Sequence, residues 1–243
     1  MNLINRHGQN LDSRFHESPS PLDPKHVVII GHGLTGNLDR PFLKALAEGL
    51  AASGFHALRV SWSGNGGSEG DFRESCISRE VEDLVSVIDA VTAEGYTVSY
   101  AGHSMGGAVG TLCAARESRL RYVISLAGMV ETAAFVEREF GGVTPDAGCM
   151  WDEPEFPLSS TFVNDLRSIG STAAEAQRIA VPYLLLHGTQ DDLVPIGDAL
   201  TLFQSGAGNP GQLIEMETDH VFTGDGTPAM VKEVIHWLKG HTA

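Results

Sequence analysis

Basic residues are scarce in this chain. In 243 residues, 16 Lys plus Arg stand against 31 Asp plus Glu, a formal net charge of −15, and only Lys25, Lys44, Lys232 and Lys239 are lysines. A surface that grips nucleic acid or an anionic bilayer needs a basic footprint, because phosphate contacts and counterion release supply most of that affinity. The densest basic stretch, Arg116-Glu117-Ser118-Arg119-Leu120-Arg121, is broken by an acid and reads as a solvated helix end. Nucleic acid and membrane are therefore excluded as partners. Cysteine is nearly absent as well: Cys76, Cys113 and Cys149 contain no C-x-x-C pair. They allow at most one disulfide and show no obvious zinc site, which favours a reducing compartment, read here as the cytoplasm. No run approaches the roughly 18 apolar residues of a membrane helix, and Met1 to Arg6 lacks the apolar core of a signal peptide.

What is present suits one enzyme-sized domain over residues 1–243. The chain is 42% hydrophobic and 19% charged, with 28 Gly, a composition that buries a large core and leaves many tight strand-to-helix turns. Short β-rich runs alternate with helical stripes. His26-Val27-Val28-Ile29-Ile30, Ala57 to Trp62, Thr97 to Ala101, Tyr122 to Leu126, Tyr183 to Leu186 and Leu213 to Met216 read as strands. Continuous apolar runs of this kind belong to strands buried on both faces. Phe42, Leu43, Leu46 and Leu50 form one helical stripe. Residues 75–93, with Ile77, Val81, Leu84, Val85, Ile88 and Val91 at spacings of three and four, form the clearest amphipathic helix. Ala108 to Arg116 and the segment with Val231, Val234, Ile235 and Leu238 add two more. This order predicts an α/β fold with a mostly parallel sheet and helices on both faces. An antiparallel edge hairpin from the first 20 residues brings the expected count to eight strands.

One interval breaks the rhythm. More than fifty residues separate the strands at 122–126 and 183–186, and they carry Phe135, Phe140, Trp151, Phe156 and Phe162. An insertion at the carboxyl edge of a parallel sheet usually covers a site, so residues of about 129–180 are expected to form a cap. An apolar face on that cap would serve as a lid or an interface, which leaves a homo-oligomer open.

The chemistry-bearing pattern is G-x-S-x-G, a sharp strand-to-helix turn that lifts a serine hydroxyl out of a sheet. It occurs twice, at Gly66-Gly67-Ser68-Glu69-Gly70 and at Gly102-His103-Ser104-Met105-Gly106. Ser104 follows a buried strand directly and precedes a helix-forming run. Ser68 lies deep in a glycine loop, so Ser104 is the candidate nucleophile. A serine needs a histidine base, and the histidine needs a carboxylate to hold its tautomer. Asp191 and Asp192 fall in the loop after the strand at 183–186, and His220 lies past the last strand. Of ten histidines, His220 alone combines such a loop with an upstream acid loop. His103, one residue from Ser104, should point to the opposite side and reads as structural, as do His32 and His187. The backbone N–H groups of Met105 and Leu34, the latter in the loop Gly31-His32-Gly33-Leu34-Thr35-Gly36, are the candidate donors to an oxyanion.

With these residues the sequence resembles the α/β-hydrolase superfamily from about residue 25 onward. Within it, the chain resembles feruloyl or cinnamoyl esterases and monoacylglycerol lipase-like hydrolases. The shared features are the His32-Gly33-Leu34 loop, the Gly67-Ser68-Glu69-Gly70 turn, the Gly102 to Gly107 elbow, and the run from His187-Gly188 to Val194-Pro195. Pro157 to Phe162 is similar to the cap of cinnamoyl esterases. The resemblance places the triad acid three residues after the glycine of His187-Gly188, at Asp191, with Asp192 as the alternative, and it treats the Ser68 turn as a structural loop. It implies a serine esterase acting on a small-molecule ester of a small or medium acyl or aromatic acid, through an acyl-enzyme and without metal or organic cofactor. A peptidase, thioesterase, lactonase or acyltransferase would use the same triad, and a non-catalytic binding module is the alternative from another class. Activity is expected to rise as a group with pKa near ~6–7 loses its proton, because the base must be neutral. The acids Asp191, Asp192, Asp219, Glu131, Glu137, Glu139, Asp146, Asp152, Glu153 and Glu155 are expected around the approach to Ser104, favouring neutral or cationic substrates.

Overall fold

A computed structural model describes residues 2–242 of the chain. Strands β1 (Leu3–Ile4) and β2 (Asn10–Leu11) form a separate two-stranded sheet. Then follow β3 (Ser13–His16), β4 (His26–Gly31), helix α1 (Pro41–Ala52), β5 (His56–Val60), α2 (Ile77–Ala93), β6 (Thr97–His103), α3 (Met105–Ala114) and β7 (Leu120–Leu126). The interval after β7 holds α4 (Thr132–Phe140), α5 (Ser160–Ile169) and the short α6 (Ala173–Ala176). The chain returns to the sheet with β8 (Tyr183–Gly188), α7 (Ile196–Gln204), β9 (Gly211–Met216) and α8 (Gly226–His241).

The main sheet has seven strands in the order β3-β5-β4-β6-β7-β8-β9. All pairs are parallel except β3 with β5. Every residue of β4 and of β8 is buried. Successive side chains of β4 go to opposite faces: Val27 and Ile29 join one core with Leu84, Ile88 and Val109, while Val28 and Ile30 join the other with Leu46, Leu50 and Val234. That division explains why the strand reads as an unbroken apolar run. Helices α1 and α8 cover one face, and α2 and α3 the other.

The expected eight strands are corrected to seven, because only one arm of the N-terminal segment enters the sheet. Ser13–His16 pairs with β5, whereas Leu3 and Leu11 bury their side chains with Leu84 and Val87 of α2. That packing draws β1 and β2 onto the helix layer and out of the sheet plane. Helix α7, with Ile196, Ala199 and Leu202, is a further element that periodicity did not single out. Among the described residues no helix is long and apolar enough to cross a membrane.

One buried contact fixes where the chain leaves the sheet after β7. The Asp198 carboxylate, on α7, accepts hydrogen bonds from the amides of Val130 (2.7 Å) and Glu131 (3.0 Å). Truncating it leaves two largely buried donors without an acceptor, which carries the desolvation cost of each. Asp198→Ala is expected to lose about 2–4 kcal/mol in thermal or urea unfolding, and Asp198→Asn, which keeps one neutral acceptor, clearly less.

Candidate active site

Ser104 occupies the junction between β6 and α3 with φ 54° and ψ −120°. A serine at positive φ stores strain that the surrounding structure must hold in place. The hold is built from the backbone: the Ser104 N–H donates to Leu126 O (2.9 Å), and its carbonyl accepts from Gly107 N (2.8 Å) and Met129 N (3.0 Å). The turn leaves no room for side chains on either flank. A Cβ on Gly106 would stand 2.5 Å from the His32 carbonyl oxygen, and one on Gly102 would run into Gly106.

Strands β8 and β9 run parallel and end together, with Gly188 opposite Met216, so the two loops that follow them meet. There the Asp191 side chain is fully buried and accepts at both oxygens. Oδ1 takes the amides of Leu193 (3.0 Å) and Val194 (2.8 Å). Oδ2 takes His220 Nδ1 at 2.7 Å, and His187 Nε2 lies 3.3 Å away. Burial works to raise the Asp191 pKa, but the nearby His187 ring and the hydrogen bonds from His220 and the Val194 amide prevail and hold it well below the ordinary carboxylate range. An ionised Asp191 requires Nδ1 of a neutral His220 to carry the hydrogen, which leaves Nε2 as an acceptor.

Ser104 and His220 line one cavity of about 370 Å³. Leu34, Phe42, Phe135, Trp151, Leu193 and Val221 supply most of its apolar wall, and Arg40 and Asp192 its charged groups. Among the described residues, three of the seven non-glycine residues with positive φ, Thr35, Ser104 and Trp151, line it, a concentration of backbone strain of the kind found at functional sites. A larger and shallower groove of about 730 Å³ follows α1 and α8. Its lining residues include Ser53 and His236 but no Asp or Glu.

The other candidates fall as follows. Leu34 lines the cavity, and its neighbour Gly33 is so close that a Cβ there would lie 2.7 Å from Ser104 Cβ. Met105 is the first residue of α3, where helix geometry leaves the N–H without an intrahelical acceptor. Asp192 stands at the cavity wall and Asp191 at His220, so the structure separates the two adjacent acids. The Ser68 hydroxyl donates to Ser61 O (2.7 Å) and accepts from Asp12 N (2.8 Å), which stitches its loop to the neighbouring chain. The side chain of Asp219 closes its own turn on Thr223.

One expectation is corrected. His103 does not turn away from the site, because alternation holds only in extended backbone and the chain reverses at Ser104. Its ring packs 4.7 Å from that of His220 and 4.6 Å from Phe42, and its Nε2 donates to His220 O at 2.9 Å. Burial, and then the nearby His220, push its pKa well down, so it supports the His220 loop as a neutral ring. Of the ten acids expected around the approach, Asp192 lines the cavity, while Asp191 and Glu139 bond to the lining residues His220 and Trp151. Glu137 and Glu139 are paired with Arg167 and Arg138, and Asp146 accepts from the Ser160 amide.

His32 is structural, as expected. Its Nδ1 donates to Gly33 O (2.8 Å), its Nε2 accepts from Trp62 N (3.0 Å), and burial lowers its pKa to about 4. This ring fastens the Leu34 loop to the end of β5. Arg40, Phe42, Trp151 and Val221 reach the cavity without any motif to announce them. Among the described residues no group of three or more His, Cys, Asp or Glu side chains is arranged to hold a metal ion.

A family model described as serine aminopeptidase, S33, matches residues 22–145. The mitochondrial palmitoyl-protein thioesterase ABHD10 of Bos taurus is 25% identical over 180 residues, 69% of this chain and 58% of that protein. The chain thus spans less than two thirds of the length of this curated relative. Among solved structures, Est1E from Butyrivibrio proteoclasticus with ferulic acid bound superposes with a TM-score of 0.88 at 22% identity, over 99% of this chain and 98% of that one. Alpha/beta hydrolase domain-containing protein 10 from mouse gives 0.76 at 20% identity, over 98% and 96%.

Because the Asp191 pKa is depressed, its ionised form stabilises the fold above the unfolded carboxylate value near ~3.9. That contribution fades as pH falls toward the folded value. The stability difference between wild type and Asp191→Asn is therefore expected to be larger at pH 7 than at pH 3 in urea unfolding; an equal difference at both would contradict the assignment.

Proposed function

The chain belongs to the serine aminopeptidase S33 family of α/β-hydrolases, and on that basis we propose that it is a serine esterase that cleaves a carboxylic ester of a small or medium acyl or aromatic acid. The observation that carries this reading is the 2.7 Å contact between His220 Nδ1 and Asp191 Oδ2, which leaves His220 Nε2 as a base on the cavity that Ser104 lines. In the proposed reaction His220 takes the Ser104 proton as Oγ attacks the ester carbonyl. The amides of Leu34 and Met105 receive the oxyanion, and the alcohol leaves with the proton from His220. Water, deprotonated by the same ring, then hydrolyses the acyl-enzyme. The substrate class rests on the cavity, whose size suits a small ligand and whose Phe42, Phe135 and Trp151 suit an aromatic or medium acyl group.

In this reading the chain is one domain, and the segment of about 129–180 is a cap that contributes Phe135 and Trp151 to the substrate wall. Its three unpaired cysteines fit a reducing compartment such as the cytoplasm. A thioester substrate is the second reading. It is favoured by the name of the bovine relative, and the same three side chains would serve it.

A fluorophosphonate probe is expected to label the folded protein at Ser104 and not to label Ser104→Ala; modification on the Ser68 peptide would overturn the choice of nucleophile. A panel of p-nitrophenyl esters of graded acyl length, methyl ferulate and matched thioesters separates the two substrate readings. In the same assays Asp191→Asn is expected to lower kcat by about 10³–10⁴-fold, since an amide no longer holds the required tautomer. Asp192→Asn should stay within a few-fold of wild type, and the reverse pattern would reassign the acid.

A further inference from the structure

Arginine in this protein is almost always neutralised. Ten of the twelve arginines have a carboxylate oxygen within 4.0 Å, as the supply of 31 acids would lead one to expect. Among the described residues the two without such a partner are both exposed: Arg14 on the edge strand β3, and Arg40, which also lines the cavity of Ser104 and His220. Asp39, beside Arg40 in sequence, is engaged by Arg59 at 3.2 Å and does not serve it. Asp192, the other charged residue of the wall, lies beyond ion-pair distance.

Arg40 is nevertheless held in place. Its backbone lies at the N-terminal boundary of α1, and Nη2 donates to Thr35 O at 3.1 Å, in the same loop that carries Leu34. A guanidinium has five N–H donors in a planar fork that matches a carboxylate, and this contact uses one of them.

Resting on the esterase reading above, we propose that Arg40 is a specificity-determining residue that receives a carboxylate carried by the substrate, so that the site prefers an anionic ester over a neutral one of the same shape. The preference opposes the net charge of −15 for a physical reason. Acids on the outer surface act through water and are screened over about 8 Å at physiological salt. Arg40 is itself exposed, but as part of the cavity wall it meets a bound ligand at contact distance, where screening by salt is weakest.

Two matched ester pairs test this in the intact protein. Mono-4-nitrophenyl adipate and 4-nitrophenyl hexanoate differ by a carboxylate on the acyl side; 4-acetoxybenzoate and 4-methylphenyl acetate differ by one on the alcohol side. For at least one pair, Arg40→Gln is expected to lower kcat/KM on the anionic ester about ten-fold, mainly through KM, while the neutral ester changes less than two-fold. Arg40→Glu should lose more, Arg40→Lys should keep part of the preference, and 0.5 M NaCl should shrink it. The responding pair tells which side of the ester faces Arg40. If the anionic and neutral members fall in step in both pairs, or neither changes, Arg40 is structural or idle and the proposal is overturned while the esterase reading stands. Hydrolysis that is the same in wild type and Ser104→Ala would sink both together.

Discussion

The Asp191 carboxylate is the tie on which the carboxyl edge of the sheet depends. It is buried and accepts from two loops at once: the amides of Leu193 and Val194 after β8, and the His220 ring from the loop beyond β9, with His187 Nε2, bonded to Val194 O, standing 3.3 Å away. Each donor comes with the desolvation of the acid already offset by the others. The result is a His220 ring held in position with its Nδ1 directed at the acid. A carboxylate one residue later has none of this, which is why the neighbouring Asp192 is left at the cavity wall.

The same economy of space governs the serine. Ser104 sits at a backbone conformation that its residue type disfavours, and it is kept there by three main-chain hydrogen bonds and by glycines whose missing side chains let the His32 loop and the elbow touch. His32 and His103 complete the arrangement as buried neutral rings. One fastens the Leu34 loop to β5, and the other carries the carbonyl of His220. Around the serine, the interval between β7 and β8 adds Phe135 and Trp151, and the boundary of α1 adds Arg40, a cation in an acidic protein.

Much of this was legible in the sequence. The alternating strands and helices were visible because each buried strand is an apolar run and each covering helix an apolar stripe, and those signals are local. The elbow was legible from Gly102 to Gly107, since a sharp turn demands glycine at fixed offsets. Asp191 and His220 were legible as loop residues in the right order. The count of strands was not: Leu3 and Leu11 look the same whether they face a sheet partner or a helix. Nor was the side to which His103 turns, since strand alternation stops where the backbone reverses.

What the sequence by itself determined is the set of groups and their order along the chain: a serine in a glycine turn, two adjacent acids, a histidine after the last strand, and a net charge of −15. Local periodicity and turn chemistry are written in neighbouring residues, so they can be read there. Only the tertiary structure decided which of the two acids meets His220, how the cavity is walled, and that Arg40 stands on that wall. Those outcomes depend on distances between segments that lie tens to hundreds of residues apart in the chain. Net charge is a sum over the whole surface, whereas a cavity responds to the few groups that stand within contact of it.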